Sequence, residues 1–96
     1  MDWNHLRVFL AVARERRLNA AAHGLGQSRP TLGRHLEALE QFLGHSLFRR
    51  TSTGYVLTEE GAAILPHVEQ MEAAVSAIER HLAGGEAPTA DKQKRS

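Results

Sequence analysis

Hydrophobic and polar positions at the start of the chain follow the period of a helix. The apolar positions i, i+3, i+4 and i+7 of this segment are Leu6, Phe9, Leu10 and Ala13. Residues at that spacing share one face of a helix and can be buried together. Because Asp2 is a favourable N-cap just before the segment, the pattern predicts a first helix from about Trp3 to Arg14.

Two further helices are predicted, joined by a short turn. Asn19 is a candidate N-cap for a helix over 20–25, and Ser28 is the candidate N-cap of the next helix, over 29–43. The buried stripe of that third helix consists of Leu32, Leu36, Leu39 and Leu43. Gly44 follows the last leucine and is suited to ending the helix in the left-handed conformation.

A β-hairpin is predicted after the third helix. Two short segments with apolar residues, 47–50 and 55–57, flank a turn of small residues over 51–54. A two-stranded hairpin is marginally stable alone, so it has to pack on the helices. The predicted fold is therefore mostly α: a winged helix-turn-helix over residues 1–58, with three helices and a two-stranded wing, followed by a long helix.

That longer helix is predicted over 59–83, with Thr58 at its beginning. Its apolar residues are spaced alternately by four and three positions: Ile64, Val68, Met71, Val75, Ile78 and Leu82. This heptad spacing is typical of helices that pair, so we expect a dimerisation helix and a homodimer. The segment 84–96 begins with two glycines and has no apolar pattern, which indicates a flexible tail.

Charge is distributed unevenly along the chain, although the net charge is only +1. Residues 1–58 contain eight arginines against four acidic residues, whereas residues 59–83 contain five glutamates against one arginine. A basic segment followed by an acidic helix suggests that the first part binds a polyanion and the second has a different role. Ordinary scatter of surface charge is the alternative explanation.

The composition argues against several classes of protein. The chain has no cysteine, which excludes disulfides and thiolate metal sites, and its six histidines form no His-x-x-x-His pair. No apolar segment is long enough to span a bilayer, and Asp2 stands where a secretory signal would carry positive charge. No catalytic constellation is found. We therefore expect a cytoplasmic protein that is not an enzyme, with no metal site and no cofactor.

The exposed side of the predicted helix 29–43 carries candidate binding residues. Helical projection turns Thr31 and Arg34 outward, while Arg29 and His35 flank the buried stripe. In a helix-turn-helix the second helix enters the major groove of DNA, where an arginine can bond guanine O6 and N7 or a phosphate. A solvated polar helix face is the alternative.

Arg49 and Arg50 place positive charge on the predicted hairpin, just before its turn. Such a wing can follow the phosphates or enter the minor groove. One of the two arginines can instead have a structural role and pair with a carboxylate, such as that of Glu37 or Glu40.

Several short motifs along the chain form a combination that is specific when taken as a whole. The residues are Ala21-Ala22, Leu25, Ser28, Pro30, Leu32, Arg34, Leu39-Glu40, Leu43-Gly44, Leu47-Phe48, Arg50-Thr51, Gly54, Leu57-Thr58 and Gly61. Over residues 2–83 the chain resembles the LysR-type transcriptional regulators. The resemblance implies a bacterial, sequence-specific transcription factor that binds double-stranded DNA and whose last helices pair two subunits in antiparallel orientation.

The resemblance and the helical projection together define the candidate DNA contacts: Ser28, Arg29, Pro30, Thr31, Gly33, Arg34, His35, Arg49, Arg50, Thr51 and Thr53. Three of them depart from the family pattern, in which glutamine, alanine and serine usually stand at the positions of Arg29, Thr31 and Gly33. We therefore expect the DNA sequence that this chain binds to differ from those bound by family members with the usual residues. Gln27 also departs, because an apolar turn residue is common there.

Family members continue into further domains that bind a small-molecule effector. This chain stops at Ser96, so we expect no effector site in it, whether it is a fragment or stands alone. A rival interpretation is a protein-interaction module, in which the heptad helix binds a partner protein and the basic half is merely solvated. Salt dependence distinguishes the two interpretations, because only a DNA-binding protein has an affinity for duplex DNA that falls steeply as the salt concentration rises.

Overall fold

The computed structural model describes residues 1–84, which form four helices and one two-stranded antiparallel sheet. The elements in chain order are α1 (Trp3–Glu15), α2 (Leu18–Leu25), α3 (Arg29–Leu43), β1 (Phe48–Thr51), β2 (Gly54–Leu57) and α4 (Glu59–Leu82). The predicted fold class, a winged helix-turn-helix followed by a long helix, is confirmed. The tail predicted over 84–96 lies outside the described residues except for Gly84.

Helix α1 is central, because α2, α3, α4 and β2 all pack against it. Its buried face is wider than the predicted stripe, since Val8 and Val12 are also fully buried. A helix covered from several sides buries positions that a single-face pattern assigns to solvent. The helix ends at Glu15, and its C-cap Arg16 has a left-handed backbone, with φ 66°, and donates its N–H to the carbonyl of Val12.

The start of α2 differs from the prediction. Asn19 is not the N-cap: the helix begins at Leu18, and Arg17 occupies the cap position without a side-chain hydrogen bond. Leu18 packs against the core, and burying this leucine outweighs the roughly 1 kcal/mol that a side-chain cap contributes. The predicted limits of α3 are confirmed, with Ser28 as N-cap and Gly44, at φ 76°, as C-cap.

The wing is attached to the helices at both of its ends. The backbone N–H of Tyr55 donates to the carbonyl of Arg16 over 2.7 Å. Where the chain enters the wing, the N–H of Leu47 donates to the carboxylate of Glu40 over 2.7 Å. These contacts fix the hairpin beside α3, which an isolated pair of strands could not do alone.

Helix α4 begins after its N-cap Thr58 and runs through Pro66 without a break. Its first half belongs to the core of its own chain, because Val68 is only 3% exposed and Ile64 packs against the same cluster. Val68, which belongs to the predicted dimer seam, is thus covered almost entirely by its own domain. Within residues 1–84, no helix is long and apolar enough to cross a membrane.

A bidentate ion pair joins α4 to the end of α1. The Nη2 and Nη1 atoms of Arg14 donate to the Oε1 and Oε2 atoms of Glu72 over 2.7 and 2.9 Å. These hydrogen bonds hold the pKa of the Glu72 carboxyl below its ordinary value and raise the pKa of Arg14. The contact adds to the apolar packing of Val68 and Ile64, which holds α4 to the core of the domain.

Candidate nucleic-acid interface

The turn before α3 presents the first residues of that helix to solvent. Gly26 ends α2 with a left-handed backbone, at φ 67°. Ser28 then caps α3, its Oγ accepting the backbone N–H of Thr31. Arg29 and Pro30 follow in the first turn, and both are exposed.

Arg34 is attached to the cap of its own helix by side-chain hydrogen bonds. Its Nη2 donates to Thr31 Oγ1 over 3.3 Å, and Ser28 Oγ donates to the same threonine oxygen over 2.9 Å. Arg34 is nevertheless exposed, so its guanidinium remains available to a ligand. The side chain of Arg29, in contrast, makes no hydrogen bond or ion pair with any residue in 1–84.

His35 has surroundings unlike those of the other candidate contacts on α3. It is half-buried and turned toward α1, with its Nδ1 3.3 Å from Asn4 Nδ2 and its ring centroid 4.9 Å from that of His5. We therefore leave His35 out of the interface proposed below. Within residues 1–84, no group of three or more histidine, aspartate or glutamate side chains is placed to hold a metal ion.

The two wing arginines differ in their contacts. Arg50 lies over the ring of Tyr55, its cross-strand partner, at 5.4 Å from the centroid. This cation–π contact takes the place of the carboxylate partner considered above, because the carboxylate of Glu40 binds the backbone of Leu47 instead. Arg49 points to the other face of the strand and is exposed.

The tip of the wing is closed by threonine hydrogen bonds. Thr51 Oγ1 donates to the carbonyl of Gly54 over 2.8 Å and accepts the N–H of Thr53 over 3.3 Å. The two threonine hydroxyl oxygens are also 3.2 Å apart. Thr51 therefore shapes the turn, while Thr53 stands at its exposed end.

Helix α3 and the wing border one shallow cleft. Its lining residues are Leu18, Arg29, Pro30, Gly33 and Arg50. Cations from two different elements thus flank an apolar floor, an arrangement that suits a phosphodiester with its sugar. Packing within the protein does not require a glycine at position 33, because a β-carbon there would meet no atom within 4 Å apart from the backbone of its own helix.

Sequence reasoning missed one cation of this surface, Arg17. It is exposed, and its Cγ lies 3.7 Å from where a β-carbon at Gly54 would be. The side chain therefore stands beside the wing and extends its basic surface. Its distance in sequence from the wing, 37 positions, left no local signal by which to find it.

The second half of α4 carries an apolar stripe that is largely exposed within residues 1–84. Met71, Ile78 and Leu82 are 43%, 58% and 80% exposed, and Val75 between them is half-buried. Exposed apolar patches of this kind are common at protein–protein interaction sites.

Comparison with known proteins places these features in a family. Residues 3–62 match the family described as bacterial regulatory helix-turn-helix protein, lysR family. The HTH-type transcriptional regulator BudR of Klebsiella aerogenes is 48% identical over 63 residues, covering 66% of this chain and 44% of that protein. The regulator TfdS of Cupriavidus pinatubonensis is 44% identical over 71 residues, covering 74% and 24%. The chain therefore spans less than half the length of these relatives.

A solved structure agrees with the sequence comparison. The crystal structure of a CbnR_DBD-DNA complex is similar, with a TM-score of 0.76 and 34% sequence identity, over 90% of this chain and 100% of that one. Because the match to the family extends over residues 3–62, more than half of the sequence, the chain belongs to the lysR family of bacterial regulatory helix-turn-helix proteins.

Proposed function

We propose that this chain is the DNA-binding part of a transcription regulator and that it binds a specific double-stranded sequence in the cytoplasm. The proposal depends above all on Arg34, which is exposed, attached to Thr31 and situated near the beginning of α3. A helix presented in this way fits the major groove, with its N-terminal half nearest the bases. The relatives BudR and TfdS, both named HTH-type transcriptional regulators, support the same function.

The proposed contacts divide between bases and backbone. Arg34 and Arg29 are long enough to reach base edges, while Pro30 and Gly33 are small and let the backbone of α3 approach the bases closely. The phosphates and sugars are the partners proposed for the hydroxyls of Ser28, Thr51 and Thr53 and for the cations Arg49 and Arg50. Arg17 is added to this second group because it lies beside the wing.

The stripe on α4 is proposed to pair with the same stripe of a second copy. Met71, Val75, Ile78 and Leu82 follow helical spacing, and Ile64 continues the line next to the buried Val68. A twofold interface brings the same patch of both subunits together, so each dimer carries two α3 helices. We therefore expect an inverted-repeat operator, with half-sites about 10 base pairs or a multiple apart.

Selection of random-sequence duplexes on the purified protein, followed by sequencing, tests this proposal. Enrichment of an inverted repeat is expected, with an affinity for it that falls steeply as the salt concentration rises. If no duplex is retained even at low salt, DNA binding is wrong and the stripe on α4 becomes a surface for a protein partner.

Two variants separate base contacts from backbone contacts. Arg34→Ala is expected to lose about 1–3 kcal/mol at the operator and to relax one base position. Arg50→Ala is expected to weaken operator and random DNA alike and to reduce the salt slope by about 1. Gln41→Ala, an exposed change farther along α3, is the control and should bind as the unmodified protein does. Equal losses on both DNAs for Arg34→Ala would assign Arg34 to the backbone.

A further inference from the structure

Thr31 connects the cap of α3 to Arg34. We propose that Thr31 is a positioning residue, whose hydroxyl holds the Arg34 guanidinium in the orientation in which it meets DNA and so sharpens base discrimination. The inference rests on the proposed DNA-binding function and gives Thr31 an indirect role within it, through Arg34.

Two side-chain hydrogen bonds converge on the hydroxyl oxygen of Thr31. A threonine hydroxyl offers one proton and two acceptor lone pairs. Both acceptor positions of Thr31 are occupied, by the Ser28 hydroxyl at 2.9 Å and by Arg34 Nη2 at 3.3 Å. Ser28 Oγ in turn accepts the backbone N–H of Thr31 over 3.3 Å. The arginine is therefore linked through two side chains to the backbone at the start of its helix.

The placement of the two residues suits this role. Thr31 and Arg34 are three positions apart, so they lie on the same side of α3. Thr31 is half-buried whereas Arg34 is exposed, so the anchor is less free to move than the group that it holds. The bond to Thr31 uses only one of the five N–H groups of the guanidinium, which leaves a bidentate contact to DNA available.

Holding Arg34 before binding reduces the ordering that binding would otherwise require. A long side chain immobilised at an interface loses rotamer freedom, and a side chain that is already fixed loses less. The contact is long and exposed, so we expect a moderate contribution of about two- to tenfold in operator affinity. Arg29 has no such anchor within residues 1–84 and provides an internal comparison.

A double-mutant cycle tests the role. Thr31→Val keeps the shape of the side chain and the backbone N–H that Ser28 accepts, but removes the oxygen that holds Arg34. We expect it to lower operator affinity about two- to tenfold, to leave affinity for random DNA unchanged, and to have no further effect in an Arg34→Ala background. Thr31→Ser restores the oxygen and should restore discrimination. Thr31→Ala, which also lacks the oxygen, repeats the test if valine disturbs the first turn.

The matched control is a second cycle with Arg29→Ala. Since Arg29 is not bonded to Thr31, the effects of Thr31→Val and Arg29→Ala on operator affinity should add. Additive effects of Thr31→Val and Arg34→Ala, or equal losses on operator and random DNA, would overturn the positioning role while operator selection by the unmodified protein still stands. If the unmodified protein binds no duplex at all, the proposed function and this inference are both wrong.

Discussion

Gly54, in the wing, lies directly against the carbonyl group of Arg16, at the end of α1. A β-carbon at position 54 would overlap the carbonyl oxygen of Arg16. The same oxygen accepts the backbone N–H of Tyr55 over 2.7 Å, so the chain cannot move away without breaking that hydrogen bond. Gly54 also has φ 136°, a conformation that only glycine adopts readily. This contact joins the wing to the loop between α1 and α2.

We expect Gly54→Ala to lower the free energy of unfolding by more than about 2 kcal/mol, since backbone strain and steric overlap add. Urea denaturation followed by circular dichroism measures the change. Gly24→Ala is the matched control, because it adds the same methyl group inside α2, where it meets no atom within 4 Å apart from the backbone of its own helix. It should be neutral or stabilise by up to about 1 kcal/mol. Equal stability of Gly54→Ala and the unmodified protein would show that the wing is not held by this contact.

Gln27, in the turn between α2 and α3, carries a buried polar atom without a partner. Among the described residues, no group donates to its Oε1. An unsatisfied buried oxygen costs about 1–3 kcal/mol, and an apolar side chain of similar shape avoids that cost. Gln27→Met should therefore raise the melting temperature, by about 4–8 °C for each kcal/mol gained. The control is Gln41→Met at an exposed position, for which no rise is expected; a melting temperature for Gln27→Met at or below that of the unmodified protein contradicts the prediction.

The local features of the fold could be predicted from sequence because their causes are local. Ser28 and Thr58 cap their helices through a hydroxyl that accepts an N–H three residues on, and Gly44 ends α3 by its own backbone conformation. The start of α2 could not be predicted, because burial of Leu18 against the rest of the core decides it and not the capping preference of Asn19.

In the candidate site, too, features with local causes could be predicted from the sequence and features set by distant contacts could not. The exposure of Arg34 follows from the helical period, which needs only the positions of the buried leucines. The surroundings of His35 depend on Asn4 and His5, which lie about 30 positions earlier in the sequence, so no periodicity of α3 reveals them. For Arg50, the partner is fixed by strand register, which places Tyr55 opposite it.

The ion pair between Arg14 and Glu72 predicts a pH-dependent contribution to stability. Hydrogen bonds from Arg14 lower the pKa of Glu72 from its ordinary value of 4.5 in the folded protein. The contribution is therefore fully present above pH 4.5 and is lost as the pH falls through the lower, folded-state pKa. The side chains of Arg14 and Glu72 are both more than a third exposed, at 48% and 39%. The ion pair therefore contributes less than about 1 kcal/mol to the free energy of unfolding.

Glu72→Gln should accordingly reduce the free energy of unfolding at pH 7 by a few tenths of a kcal/mol, to at most about 1. In acid, where Glu72 is itself neutral, the variant and the unmodified protein should converge. Urea denaturation at neutral and at acidic pH measures both values. Glu79→Gln removes a glutamate from the same helix without removing an ion pair to α1, and it should not reproduce this pH dependence. If the free energies of unfolding of Glu72→Gln and of the unmodified protein differ by the same amount at all pH values, the ion pair with Arg14 is not the source of the pH dependence.

The apolar stripe on α4 predicts the behaviour of the protein in solution. Ile78 is 58% exposed, and neither Ile78 nor the half-buried Val75 is among the residues packed in or against the core. Val75→Asp combined with Ile78→Asp should therefore have little effect on the core. Two buried and unpaired carboxylates would each cost a pairing interface about 3 kcal/mol or more, enough to separate the subunits at micromolar concentration.

Sedimentation equilibrium over a range of protein concentrations distinguishes a dimer from a monomer. We expect the unmodified protein to be dimeric and the double variant to be monomeric with an unchanged helical circular dichroism spectrum. The control is Ala73→Asp, which adds a carboxylate to an exposed position on the opposite side of α4, about 190° from the centre of the stripe by helical projection; it should remain dimeric. A double variant that stays dimeric would mean that the subunits pair through another surface, and the spacing of the operator half-sites would then have to be derived from that surface.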